Sequence, residues 1–241
     1  MKLSGHTILI TGGGSGIGLA LAKTFLKAGN EVIIVGRDRA KLEAAVAQNP
    51  GLQLATCDIQ NAASIAALCE QFRSRVNILI NNAAISQAIV LTDQGSLERQ
   101  VAEIEINLVG TIRMVNAFLP ALTTKPVAAI VNVTSALAYV PSANSPVYSA
   151  TKAALHSFTQ SLRHQLRRTS VKVFELIPPL TDTPMAARMS GVPKLAPQVV
   201  VDALMAAMAK DELEITPGLT RAAKFMSRLA PRYAFSLLNK K

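Results

Sequence analysis

Tyr148 and Lys152 stand four residues apart in Tyr148-Ser149-Ala150-Thr151-Lys152, and Ser135 precedes the tyrosine by 13 positions. At the start of a helix that spacing puts the phenol and the ammonium on one face. A free phenol titrates near ~10, too weak an acid to exchange protons readily at neutral pH. A neighbouring ammonium stabilises the phenolate and lowers that value, each unit being worth about 1.4 kcal/mol. Such a tyrosine could give a proton to a carbonyl oxygen during reduction, or take one from an alcohol during oxidation. Ser135 follows the strand-like run Ile130-Val131-Asn132-Val133, where its hydroxyl could hold the same oxygen. Alone, the pair reads equally well as a solvated helix face; the serine and a glycine turn far upstream favour chemistry.

That turn is Thr11-Gly12-Gly13-Gly14-Ser15-Gly16-Ile17-Gly18. Between a first strand and a helix it would bring backbone N–H groups and a helix N-terminus against a pyrophosphate. Glycine is needed where a Cβ would block the approach or where φ is positive. The spacing is Gly12-x-x-x-Gly16-x-Gly18, not G-x-G-x-x-G, so a plain glycine-rich turn is the alternative. The next apolar run ends in Gly36-Arg37, where an acidic residue would bind a ribose 2′-hydroxyl. Arg37 could grip a 2′-phosphate instead, which favours NADP(H) over NAD(H). A solvated arginine at a strand end is the bland alternative, and Asp38 argues against the phosphate unless it caps the following helix.

The elements that must position these groups alternate. Apolar runs at 7–10, 32–35, 52–57, 78–80, 129–133 and 171–177 predict short buried strands. Helical patterns fall at 17–28, 39–48, 62–72, 97–122 and 148–168, with Asp38 as an N-cap. Apolar strands alternating with helices predict an α/β fold: a single doubly wound domain, its central parallel sheet flanked by helices on both faces. No run reaches the ~18 apolar residues of a spanning helix. The stretch from Met1 to Ile10 passes into the glycine turn without a cleavage site, and reads as a strand and not as a signal peptide. Cys57 and Cys69 form no disulfide framework and no Cys/His cluster has metal-ligand spacing, so a cytoplasmic protein without a metal is expected.

The net charge of +10 is concentrated at the end of the chain. Residues 1–216 carry only +4; residues 217–241 hold Arg221, Lys224, Arg228, Arg232, Lys240 and Lys241 with no acid. We divide the chain into a catalytic dinucleotide-binding domain, 1–216, and a basic amphipathic extension, 217–241. Aromatic residues are 4% of the chain and are not interleaved with basic ones, which argues against nucleic acid. In the extension Phe225, Met226, Leu229 and Tyr233 adjoin the basic stripe, up to a break at Pro231. That arc either packs on the body or a neighbouring subunit, or attaches reversibly to an anionic membrane surface.

Over nearly the whole chain these residues resemble the short-chain dehydrogenase/reductase family, and within it the DltE-type oxidoreductases. The family's T-G-x-x-x-G-x-G motif falls on Thr11 to Gly18, its adenine-contacting acid on Asp58 and its N-N-A-G motif on Asn81-Asn82-Ala83-Ala84. Its catalytic asparagine, serine, tyrosine and lysine fall on Asn107, Ser135, Tyr148 and Lys152. The resemblance implies a Rossmann-type fold, a cofactor held by Thr11, Gly12, Ser15, Gly16, Ile17, Gly18, Arg37, Asp58, Ile59, Asn82, Ala83, Ala84, Tyr148, Lys152, Pro178, Thr181 and Thr183, and self-association as a dimer or tetramer. It further implies that Lys152 binds the nicotinamide ribose and that Asn107 anchors a proton-relaying water. Two positions depart from the pattern: Ala84 and Pro179 each replace a glycine, adding a methyl beside the nicotinamide and stiffening the loop 178–183.

The expected activity is NADP(H)-dependent oxidation and reduction of a small alcohol/carbonyl pair. The alternatives are a dinucleotide-binding regulatory protein without turnover and a 3-oxoacyl reductase acting on a carrier protein. Segments 136–147 and, apart from Arg188, 185–192 are mostly small or apolar, which suits either a pocket for an uncharged carbonyl or plain surface. His156 and His164, eight apart and without a third ligand, are expected at the surface or an interface. Ala153, Ala154, Phe158 and Leu162 suggest that the helices at 97–122 and 148–168 pack against their copies.

Overall fold

Strand β1 (Thr7–Thr11) sends Ile8 and Ile10 into one core layer and Leu9 into the other, and all three are fully buried. A strand buried on both faces needs an apolar residue at every position, the pattern of a parallel sheet sandwiched by helices. The computed structural model describes residues 1–240 except 88, 90, 92, 94 and 190; Lys241, counted with the basic tail, lies outside the described residues. β1 pairs in parallel with β2 (Glu31–Gly36) and β4 (Ile78–Asn81), Leu9 standing opposite both Ile33 and Leu79. With β3 (Leu52–Thr56), β5 (Ala128–Val133), β6 (Val171–Leu176) and β7 (Glu214–Ile215) they form a seven-stranded parallel sheet, ordered β3-β2-β1-β4-β5-β6-β7.

Helices α1 (Gly16–Lys27), α2 (Arg39–Ala47) and α7 (Pro197–Lys210) cover one face through Phe25, Leu42 and Leu204. Helices α3 (Ala62–Phe72), α5 (Thr111–Leu122) and α6 (Pro146–Leu166) cover the other through Phe72, Phe118 and Leu162. The fold is therefore the expected doubly wound one. The strand order reverses between β1 and β4, so the loops leaving their carboxyl ends diverge and open a crevice there.

The structure differs from the sequence reading in four places. The expected single helix at 97–122 is α4 (Leu97–Ile104), then a π-helical turn (Glu105–Gly110), then α5. Gly110 permits that turn to press on Ile59: a Cβ there would stand 2.9 Å from Ile59 Cδ1. β7 has two residues, too few to show as an apolar run, and α7 went unassigned although Val200, Val201, Leu204, Ala207 and Met208 make a buried stripe. His156 is half-buried and turned toward the sheet, its Nδ1 2.8 Å from Oε1 of the fully buried Glu175, because α6 lies directly on β6. His164 is exposed, as expected.

Candidate active site

The crevice begins at the turn out of β1. Gly12 (φ +65°) and Gly16 (φ +54°) adopt backbone conformations that L side chains rarely take. Gly18 faces inward: a Cβ there would stand 2.3 Å from the Gly12 carbonyl oxygen, so α1 can start this close to the turn only without one. Ser15 precedes α1 in an extended conformation with no side-chain cap, and no acidic residue sits in the first turn. The start of α1 thus presents uncompensated N–H dipoles, the usual setting for a phosphate group. The turn is clasped to the loop after β4. Thr11 Oγ1 accepts the N–H groups of Asn82 (3.0 Å) and Ala83 (3.1 Å), while Asn82 Nδ2 donates to the carbonyls of Thr11 and Gly12.

From there a cleft of about 400 Å³ runs in two directions. One end is walled by Arg37, Asp38, Lys41, Asp58 and Ile59. Asp38 accepts from the Lys41 N–H at 3.0 Å as the N-cap of α2, so its carboxylate is committed locally and the two cations face the cleft together. Asp58 Oδ1 accepts from the Gln60 N–H, a local turn that fixes the carboxylate at the rim.

The other end holds the titratable pair. Pro146 opens α6 at its first turn, where the missing N–H costs nothing, and the helix carries Tyr148 and Lys152 into the cleft. Lys152 is almost fully buried, its Nζ donating to the Val133 carbonyl at 2.8 Å, and burial pulls its pKa down to about 8. The Tyr148 phenol does not follow the sequence expectation of a lowered value. Burial pushes it up to about 12, opposed by a hydrogen bond with the Ser135 hydroxyl and reinforced by the Glu103 charge. Lys152 Nζ is 5.6 Å from the Tyr148 ring centroid and spends its hydrogen bond elsewhere, so desolvation wins.

Two further polar groups stand behind the pair. Asn107, fully buried on the π-helical turn, accepts from the Ile85 N–H at 2.8 Å and donates to the Ile85 carbonyl at 2.8 Å, bracing the loop after β4. Glu103, also fully buried, accepts from the Gln87 N–H, and its Oε2 has no partner among the described residues. Burial raises its pKa, against the Gln87 N–H and the nearby Arg188. Arg188 donates to the Ser86 carbonyl at 2.6 Å, joining the loop after β6 to the loop after β4.

Of the residues singled out by sequence, Thr11, Gly12, Ser15, Gly16, Ile17, Arg37, Asp58, Ile59, Asn82, Ala83, Ala84, Tyr148, Lys152, Pro178 and Thr183 all line this one cleft. Four do not. Gly18 and Asn107 lie behind the wall, and Ser135 is buried beside Tyr148, its Oγ accepting from the Leu137 N–H at 3.2 Å. Thr181 is turned away: it is buried, its hydroxyl donates to the Pro179 carbonyl and its backbone bridges to Leu195. Lys41 and Glu103 went unpicked by sequence. Lys41, four residues past Arg37 and in the first turn of a helix, carried a usable signal; Glu103 carried none, because only the packed structure buries it.

The fold and this cleft define a dinucleotide-binding oxidoreductase class, and comparison with known proteins agrees. The short chain dehydrogenase family profile matches residues 6–191. The uncharacterized oxidoreductase DltE of Bacillus subtilis is 48% identical over 188 residues, covering 76% of this chain and 74% of that protein. A short chain dehydrogenase from Burkholderia cenocepacia, solved in complex with NADP, superposes with a TM-score of 0.90 at 29% identity over 100% of both chains. A 3-ketoacyl-(acyl-carrier-protein) reductase from Brucella melitensis, complexed with NADH, superposes with a TM-score of 0.81 at 28% identity, covering 87% of this chain and 93% of that one. The chain belongs to the short-chain dehydrogenase/reductase family of oxidoreductases, whose members bind nicotinamide dinucleotides.

Proposed function

We propose that this protein is an NADP(H)-dependent oxidoreductase that interconverts a small uncharged carbonyl compound and its alcohol. The carrying observation is that Tyr148 and Lys152 share one continuous cleft with the glycine turn and with Arg37. The residues fit a dinucleotide: a Cβ at Gly12 would stand 2.9 Å from Ala83 Cα, so the turn can lie this close to the loop after β4 only because Gly12 has no side chain. The start of α1 receives the pyrophosphate, Asp58 and Ile59 border the adenine, and Arg37 with Lys41 holds a 2′-phosphate. Bound there, the nicotinamide supplies or accepts the hydride. Tyr148 gives the proton to the carbonyl oxygen or takes it from the hydroxyl, Ser135 holds that oxygen, and Lys152 binds the ribose and shifts the phenol toward its charged form when they are drawn together. Asn107 keeps the loop after β4 at the distance this requires. The Ala84 methyl and Pro178 narrow the nicotinamide end, in keeping with a small substrate.

The test is NADPH consumption with a panel of aldehydes, ketones and acyl thioesters. Reduction of free carbonyl compounds is the expected result. Preference for acyl thioesters would point to a carrier-linked reductase, and tight NADPH binding without turnover of any member to a regulatory binding protein. We also assign a homo-oligomer to the chain. Leu97, Val101 and Ile104 form an exposed stripe along α4, which packs beside α6 with Ala153 exposed. Leu162 of α6 does not belong to that surface, being buried in the core, and Phe158 is half-buried against the same cluster. Free, buried Cys57 and Cys69 suit the reducing cytoplasm.

A further inference from the structure

The end of the chain folds into two short helices, α8 (Thr220–Leu229) and α9 (Pro231–Leu238), with Pro231 at the break between them. Their inner side is fixed to the body. Lys224 pairs with Glu214 and lies 5.9 Å from the Tyr139 ring centroid, Thr220 and Ala234 are buried, and Asn239 accepts from the Ala143 N–H and donates to the Pro141 carbonyl. Of the apolar arc read from the sequence, Met226 is half-buried, while Phe225, Leu229 and Tyr233 stay exposed. Leu219 is 81% exposed, Leu229 68% and Phe225 62%, and Tyr233, Phe235, Leu237 and Leu238 are exposed beside them. Six large apolar side chains on two helices, with Leu219 at the start of the first, exceed the scattered exposure of an ordinary surface.

The charges around this patch say what covers it. Arg221, Arg228, Arg232 and Lys240 are exposed among these side chains, no Asp or Glu occurs after residue 216, and the three arginines make no ion pair among the described residues. A second copy docked by two-fold symmetry would set this basic face against itself, with no carboxylate to answer it. A nucleic acid would answer the charge and leave the leucines without an apolar partner. An acidic bilayer surface satisfies both, taking leucine, phenylalanine and tyrosine into the headgroup boundary while the arginines reach phosphates. Among the described residues no helix is long and apolar enough to cross a membrane.

We infer that the outer face of α8 and α9 docks this protein on the surface of an anionic lipid bilayer. The face adjoins the segment that follows Ser135: Tyr139, Val140 and Pro141 share a groove with Ser227, Pro231, Arg232 and Phe235. Docking thus sets that segment close to the lipid, without depending on what the cleft catalyses.

Co-sedimentation of the full-length protein with vesicles tests this. The probes are phosphatidylcholine vesicles with and without phosphatidylglycerol, at low and raised salt. Wild-type protein is expected to pellet with the mixed vesicles, release as salt rises, and bind phosphatidylcholine alone far more weakly. The triple variant Phe225→Ser, Leu229→Ser, Tyr233→Ser is expected to stay in the supernatant while keeping wild-type NADPH affinity and melting temperature. The triple variant Arg221→Gln, Arg228→Gln, Arg232→Gln is expected to bind mixed vesicles roughly a hundredfold more weakly. Wild-type protein in the supernatant with mixed vesicles at low salt would overturn the inference. So would a lipid-free oligomer that the serine variant converts to monomer, since a second copy would then own the face.

Discussion

Arg37, Lys41 and two carboxylates, Asp38 and Asp58, wall the cleft's far end. Each carboxylate accepts a backbone N–H, from Lys41 and Gln60 respectively, and Arg37 with Lys41 are the groups we propose to hold a 2′-phosphate. Arg37→Asp is expected to weaken NADPH binding by one to two orders of magnitude with little loss for NADH, since a charge-assisted hydrogen bond is worth ~1.5–3 kcal/mol. Direct titration with both dinucleotides checks it, and equal affinities in the wild type would remove the preference. At the near end the buried Lys152 carries a linkage signature. Its native pKa, about 8, lies below its ordinary value of 10.5, so between those limits the unfolded chain holds a proton that the native chain has released. Stability from this group therefore rises as pH climbs from about 8 to 10.5. Lys152→Met, which carries no such charge, should exceed the wild type in stability below that window by a margin that shrinks by about 3 kcal/mol across it. Denaturant melts at neutral and alkaline pH measure that convergence. Tyr148 and Lys152 were legible in the sequence because their spacing is local, and Arg37 because it directly follows an apolar strand. Glu103 was not: it became a buried carboxylate beside the phenol only when α4 packed against the loop after β4.

The elements show which local signals carry positional meaning. The turn between β1 and α1 could be read from its glycines, but the task of each one depends on tertiary contact. Gly12 and Gly16 supply positive φ, whereas Gly18 supplies the absence of a side chain against the Gly12 carbonyl. Gly18→Ala must displace either the turn or α1, and is expected to lower the melting temperature and weaken NADPH binding more than tenfold, the scale of overpacking at about 1–3 kcal/mol. Unchanged affinity would mean that the turn yields at no cost. The π-helical turn at Glu105–Gly110 had no visible signature, since Ile106, Asn107 and Leu108 suit an α-helix equally well. Its shape is set by the fit of Gly110 against Ile59 and by the Asn107 bonds to Ile85. β7 was hidden for a different reason: two residues at a sheet edge leave no periodicity to detect.

At the scale of the molecule, a parallel sheet covered by helices followed from apolar strands alternating with helices, because a strand buried on both faces needs helices on each side. The arrangement of surfaces did not follow, since an amphipathic pattern says that a face is apolar and not which neighbour it meets. Two such faces remain, the α4 stripe and the outer side of α8 and α9. We expect the first to be the self-association surface: Leu97→Lys with Val101→Lys should lower the mass by light scattering to that of a monomer. A wild-type protein already monomeric at micromolar concentration would contradict this. The central claim, that the cleft performs hydride transfer with Tyr148 as its acid and base, is tested most directly by Tyr148→Phe. NADPH-dependent carbonyl reduction is measured in the variant and the wild type, alongside NADPH affinity in both. The account predicts loss of turnover by at least about two orders of magnitude, the lower range for a general acid, with affinity nearly unchanged. Substantial turnover in the phenylalanine variant would show that another group moves the proton.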